Sequence, residues 1–202
     1  MFEGVVNSIP IHARFAEPLS GIRQKMKASG KLMDMLTGYA ASHQHPFNVF
    51  IHMIGIPTIM LGVMIPLTWV GFAVNDVSFS LAHVLLLVFF FFYVTLDVWF
   101  ALAFLIAGFL IAMLASWLGN LPGNAGWIIA AACFFGGYIA QFIGHAVEKS
   151  MPVLVKHPIQ ANLAAPFFTV VELFKIAGLR DDLFEEVQRQ IESRRERETA
   201  QS

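Results

Sequence analysis

Between Leu32 and Glu148 the chain has neither lysine nor arginine, and all thirteen of its basic residues lie at or before Lys31 or at or after Lys149. Acids are nearly as scarce there: Asp34, Asp76 and Asp97 are the ones between Met33 and Val147. Charged residues make up 13% of the 202, about half the share of a soluble domain. That excludes a compact soluble protein, which needs a charged rind around its core. Cysteine is represented by Cys133 alone, which excludes an intramolecular disulfide. Within an apolar run it reads as a small buried side chain. Glu3 and the broken run after it do not form the basic-then-apolar pattern of a signal peptide. The first membrane helix is therefore expected to act as the insertion signal, and nucleic acid is not an expected partner.

What the chain has in abundance is apolar sequence, 57% of all residues. Residues 1–30, punctuated by Pro10, Pro18, Gly21 and Gly30, read as a cytoplasmic lead-in with one short surface helix. Over 31–43 the larger side chains recur at Leu32, Met35/Leu36, Tyr39 and His43, the spacing of one helical face. Pro46 interrupts that run, because the residue before a proline is pushed out of the α region.

Four crossings are predicted, at about 47–70, 81–96, 98–118 and 127–146. Pro57 and Pro66 are expected to kink the first, and 71–80 reads as a polar turn around Asn75 and Asp76. The apolar stretch 81–118 is too long for one span, and Asp97 marks its break as a turn or cap residue. Segment 161–177 is apolar but short and carries Glu172, as a re-entrant or interfacial helix would. Residues 181–202 set Leu183/Phe184, Val187 and Ile191 on one face among charges, a cytoplasmic tail helix. The fold class is thus all-α: an integral membrane bundle of four transmembrane helices, a short re-entrant or interfacial helix, and soluble terminal helices. Its membrane catalytic domain is expected over 31–180.

Orientation follows from the cations. The 71–80 and 119–126 connections carry none while both ends are rich in them, so both termini are expected in the cytoplasm. The start of the first crossing, the Asp97 turn and the end of the fourth then meet at one membrane face. Trp69, Trp99, Trp117 and Trp127 fall near helix ends, as an aromatic belt requires.

Polar side chains inside such a block are functional candidates, because hydrocarbon offers them no compensation. Tyr39, His43, His45, Asn48 and His52 cluster at the entry to the first crossing, with Asn48 one turn before His52 on the same face. Tyr138, Gln141, His145 and Glu148 recur every three or four residues at the exit of the fourth. Pro46 breaks the helix between His43 and His52, which allows the two to face each other. Imidazoles with a carboxylate nearby suit a first-row metal, and histidines bonded to one another and to backbone are the structural alternative. His83 reads as interfacial, His12 as solvated, His157 as a loop residue without a periodic partner, and the Phe89–Phe92 run as packing.

The order Tyr39, His43, Asn48, His52 and Pro57, followed by Gln141, His145, Glu148-Lys149, Pro152, Ala165-Pro166-Phe167 and Glu172, resembles the membrane 2-hydroxy fatty acid dioxygenases of fatty-acid α-oxidation. The match covers roughly residues 35–180. Glu148 stands three residues after His145 where the fungal pattern has four, and Lys156-His157 stands where Asp-Asn is usual. The resemblance implies an iron(II) enzyme that shortens a 2-hydroxy fatty acid by one carbon with O2. A bacterial inner membrane is favoured over the endoplasmic reticulum, and a homo-oligomer is left open. It implies His43, His52 and His145 as metal ligands. Glu148 is a fourth ligand or a support to them. Tyr39, Asn48, Gln141 and Glu172 then orient ligands or line the substrate, and Lys149 pairs with its carboxylate. Two other classes fit the same residues: a zinc-dependent membrane hydrolase, which keeps a metal-bound water, and a lipid-binding protein that uses its polar stripe only to hold helices together.

Overall fold

The computed structural model describes residues 30–40, 43, 45–75 and 77–201. The expected lead-in of residues 1–29, with His12, and Asp76 lie outside the described residues, as does the side chain of Tyr39. Helix α1 (Gly30–Ala40) precedes the first long apolar helix, α2 (Pro46–Thr68). His45 is extended (φ −77°, ψ 124°) in front of Pro46, and its Nδ1 accepts the Phe47 N–H at 3.2 Å. A proline costs no hydrogen bond in the first turn, where the N–H has no helical partner. Pro57 and Pro66 lie inside α2.

The predicted turn at 71–80 is instead a hairpin of β1 (Gly71–Val74) and β2 (Val77–Ser80), paired from Gly71↔Ser80 to Val74↔Val77. Asn75 takes φ 46°, the left-handed conformation that tight hairpin turns demand. Polarity marked the reversal, while the alternation of Phe72 and Phe79 with small residues carries the strands; the two rings stack at 5.9 Å.

Helix α3 (Leu81–Val94) and helix α4 (Val98–Gly119) are separated at Asp97, as predicted. Asp97 Oδ1 accepts the N–H groups of Trp99 and Phe100 at 3.0 and 3.1 Å, capping α4. His83, expected at an interface, caps α3: its Nδ1 accepts the Ser80 N–H at 3.2 Å. The rest of the chain comprises α5 (Ala125–Glu148), the single turn α6 (Val153–Lys156), α7 (Pro158–Ile176) and α8 (Asp181–Gln201). The apolar face of α8 is spent on α1: Leu183, Val187 and Ile191 are buried in one core with Leu32 and Leu36.

The chain is an all-α membrane bundle. By length and apolarity α2, α4, α5 and α7 are able to cross a bilayer, whereas α3 has 14 residues. At a rise of ~1.5 Å per residue α3 covers about 21 Å. Contacts distinguish these helices further. Leu81 N–H bonds Val70 O, so α3 starts beside the far end of α2 and runs back to Asp97. Both flanks of α7 are tied to one end of the bundle, through Ser150 to His145 and through Arg180 to Asp97. Half of the apolar window of α7 is buried, against 33% or less in the other three. The residues flanking α7 are thus anchored at the end of the bundle that holds His145 and Asp97, and the helix between them packs on α2 and α4.

Antiparallel packing of α2 on α5 dominates the interior. Gly55 on α2 faces Gly137 on α5, Gly62 faces Ala130 and Phe134, and Gly144, seven residues beyond Gly137, lies against Asn48 and Ile51. A methyl group at Gly62 would stand 2.6 Å from Phe134 N, and one at Gly137 would stand 2.6 Å from Ile59 Cγ1. Where lipid supplies no hydrophobic drive, small residues let helices gain dispersion contact by approaching closely. This seam brings the start of α2 and the end of α5 to one depth. Trp69, whose Nε1–H donates to Gly119 O at 3.0 Å, and Trp127 pack ring against tilted ring, 4.2 Å apart, at the opposite end.

Candidate metal centre

Three imidazoles from three places converge at the end where α2 begins. His43 sits in the irregular link before α2, with its N–H on Ala40 O at 3.1 Å. His52 lies within α2 and His145 within the last turn of α5. All three are buried. Their ring centroids form a nearly equilateral triangle with sides of 4.5, 4.9 and 5.0 Å. The rings are steeply inclined, at 76°, 69° and 90°, so edges rather than faces meet at the centre.

The nitrogens suit a metal ion. Nε2 of His43 and Nε2 of His52 are 3.3 Å apart, and one nitrogen from each of the three rings lies within 4.8 Å of the others. Imidazole nitrogens at ~2.1 Å from a shared ion, in tetrahedral or octahedral geometry, stand about 3.0–3.4 Å apart. Tautomers agree with this. His52 Nδ1 faces Asn48 O at 2.9 Å, and a carbonyl only accepts, so Nδ1 carries the proton and Nε2 keeps its lone pair. His145 Nδ1 is bonded to Ser150 Oγ at 2.9 Å, which also leaves Nε2 as its metal-facing nitrogen.

Glu148 lies beside this triad, with both carboxylate oxygens engaged on α2. Oε1 accepts the His45 N–H at 3.2 Å, and Oε2 accepts from Asn48 Nδ2. Asn48 is completely buried, and its Oδ1 has no hydrogen-bond partner among the described residues.

A cavity of about 290 Å³ opens from the triad into the bundle. His52, Ile56, Ile59, Met60, Val63 and Met64 line it as one continuous stripe of α2. Apart from the histidines, Tyr138, Gln141 and Asn162, its lining is apolar.

The family model for 2-hydroxy-palmitic acid dioxygenase, Mpo1-like, matches residues 30–176. The 2-hydroxy-palmitic acid dioxygenase MPO1 of Saccharomyces cerevisiae is 34% identical over 147 residues, 72% of this chain and 81% of the yeast protein. The chain belongs to the Mpo1-like family. No solved structure matches it.

The Mpo1-like match starts at the first residue of α1 and stops at the last of α7, so it spans every element that touches the triad. Of the residues singled out from sequence, His43, His52, His145, Asn48 and Glu148 meet at this point. Gln141 lines the cavity one turn before His145. Glu172 is buried on α7 and faces Lys175 Nζ at 3.6 Å. Lys149 is exposed and turns the chain out of α5 in the left-handed conformation, φ 56°. Tyr39 lies in α1, and its side chain is outside the described residues.

Sequence reasoning missed three participants. His45, without an assigned role, caps α2 and joins Glu148 through its N–H. Ser150 holds His145, which only the turn at Lys149 makes reachable. Phe168 closes over the His43 ring at 5.6 Å, one residue beyond the Ala165-Pro166-Phe167 motif.

Proposed function

We propose that this chain is an iron(II)-dependent dioxygenase that shortens 2-hydroxy fatty acids by one carbon, working at the cytoplasmic face of a membrane in which both termini are cytoplasmic. The observation that carries the reading is a buried three-histidine cluster at the mouth of an apolar cavity, in a chain of the Mpo1-like family. A polar group is placed at the triad and an alkyl chain in the cavity, which is the bipolar shape of a 2-hydroxy acid. One O2 per acid balances the reaction as a one-carbon-shorter acid, carbon dioxide and water, so no second organic co-substrate is required.

Iron(II) held by His43, His52 and His145 would supply the redox chemistry that lets a closed-shell acid react with O2. The protein's own part is positioning. Backbone carbonyl 48 and Ser150 fix the ring orientations of His52 and His145, so two ligands arrive preorganised. With both oxygens bonded to α2, Glu148 acts as a brace between the helices that carry those ligands. Lys149, exposed at the same end, is the cation for the substrate carboxylate, and Gln141 offers an amide to the hydroxyl-bearing end. Burial around the triad excludes bulk water and leaves the far methylenes in an apolar lining. The catalytic unit on this reading is residues 31–180, with α8 serving to cover α1.

The test is anaerobic reconstitution of the purified protein with iron(II), then 2-hydroxypalmitate and O2, with His52→Ala in parallel. The expected result is about one iron per chain, equimolar consumption of O2 and acid, and loss of both iron and turnover in the variant. Equal turnover by His52→Ala overturns the iron site. Stoichiometric zinc with no oxygen uptake would point instead to the hydrolase, which a cluster of three histidines without a carboxylate also suits.

A further inference from the structure

We infer that Leu86, seated against Gly108 and closing the cavity together with Met64, sets the acyl-chain length this protein accepts. The inference rests on the proposed function for the identity of the polar head, but its geometry stands apart from the metal.

The cavity has a direction. Its α2 stripe begins at His52 and ends at Met64, and twelve residues of helix at ~1.5 Å each carry it about 18 Å from the triad. Helix α3 runs antiparallel to α2 from Leu81, so the first cavity residues on α3, Leu85 and Leu86, lie at the end remote from the histidines. Met64 and Leu86 are both buried, at 2% and 3% exposure, and on this inference they form the cavity's floor. A zigzag alkyl chain with C–C bonds near 1.5 Å advances about 1.3 Å per carbon, so the cavity holds about 14 carbons beyond the hydroxyl-bearing one.

Leu86 is held where it is from behind. On the α4 side it packs directly on Gly108, with no room for even a methyl group at that position. Any side chain there must displace the tip of Leu86, whose Cδ1 would stand 2.3 Å from the added carbon, and on this inference the displacement is into the cavity. A ruler of this kind has a signature that general hydrophobicity lacks. Each added CH2 tightens binding about fourfold while it enters apolar surroundings. The gain stops abruptly once the chain reaches the floor.

The experiment is titration of the full-length protein in detergent with saturated 2-hydroxy acids of ten to twenty-four carbons, without O2 so that nothing turns over. Monodisperse elution and the melting temperature report folding, and affinities are normalised to the ten-carbon acid. For the wild type we expect a steep rise and a break near sixteen carbons. Leu86→Ala should move the break two or more carbons longer, and Leu86→Phe about two shorter. Should Leu86→Phe fail to fold, Gly108→Ala should shorten the limit in the same direction by a smaller step. A break that stays put in Leu86→Ala and in either shortening variant overturns the ruler, as does affinity that climbs steadily through twenty-four carbons. Failure of the proposed function looks different: no oxygen consumption by the iron-loaded protein, whatever the binding profile.

Discussion

Ser150 bonds a histidine of the cluster directly, whereas Glu148 bonds His45 and Asn48 beside it, and both should behave differently from the three histidines when removed. Ser150 Oγ is the partner of His145 Nδ1 at 2.9 Å, its one side-chain hydrogen bond among the described residues. Groups that orient a metal-bound imidazole typically contribute 10–100-fold in metal affinity or activity. Ser150→Ala should therefore weaken iron binding by that order while leaving the melting temperature within a degree or two. Competition with a chelator of known affinity measures the first, and a thermal scan in detergent the second. The three histidines themselves were legible in sequence because histidine is conspicuous in an apolar block. Ser150 was not, since serine after a helix end is commonplace. What links it to His145 is the left-handed turn at Lys149, a backbone property that no side-chain pattern announces.

Among the elements, the joint between α3 and α4 concentrates the most interactions on one side chain. Asp97 caps α4 through Oδ1, while Oδ2 accepts Arg180 Nη1 at 2.6 Å, with both side chains only 12% exposed. The guanidinium also lies 4.7 Å from the centre of the Phe100 ring. Two substitutions separate these roles. Asn is as good a cap as Asp, so Asp97→Asn should lose chiefly the ion pair, whereas Asp97→Ala should lose about 1 kcal/mol more with the cap. Breaking one side of a buried pair costs about 3–5 kcal/mol, and less where both partners keep some exposure as here. Unfolding in a detergent series should rank wild type above Asp97→Asn above Asp97→Ala, and a reversed order of the two variants would refute the division. Sequence located this joint because an acid within 38 apolar residues has few places to go. The hairpin at 71–80 escaped notice because four-residue strands have too few positions to show a period. Helix α7 was recognisable as apolar and unusual, but only its contacts with Tyr93 and His43 reveal that it packs across one end of the bundle.

For the whole molecule, we propose four traverses by α2 to α5 and an α7 that stays on its own side, an order that would keep the two halves of the site together. The hairpin then belongs on the opposite face of the membrane from α8. In a Cys133→Ala background, Ser78→Cys should react with an impermeant thiol reagent added to one side of sealed vesicles, and Ser193→Cys with reagent on the other side. Labelling of both from the same side would break the proposed topology and with it the meeting of residues 43 and 145. That the chain is a membrane bundle could be foreseen from charge alone, since cations are kept to the ends of the sequence. The distance between the helices could not. Gly62 and Gly137 let backbone rest on backbone, and they stand about 15 and 12 Å along their helices from His52 and His145. The pair works as a calliper whose jaws carry the imidazoles. A single carbon wedged between the arms spreads the jaws, so the gap that grips the ion is gauged by hydrogen atoms far from it.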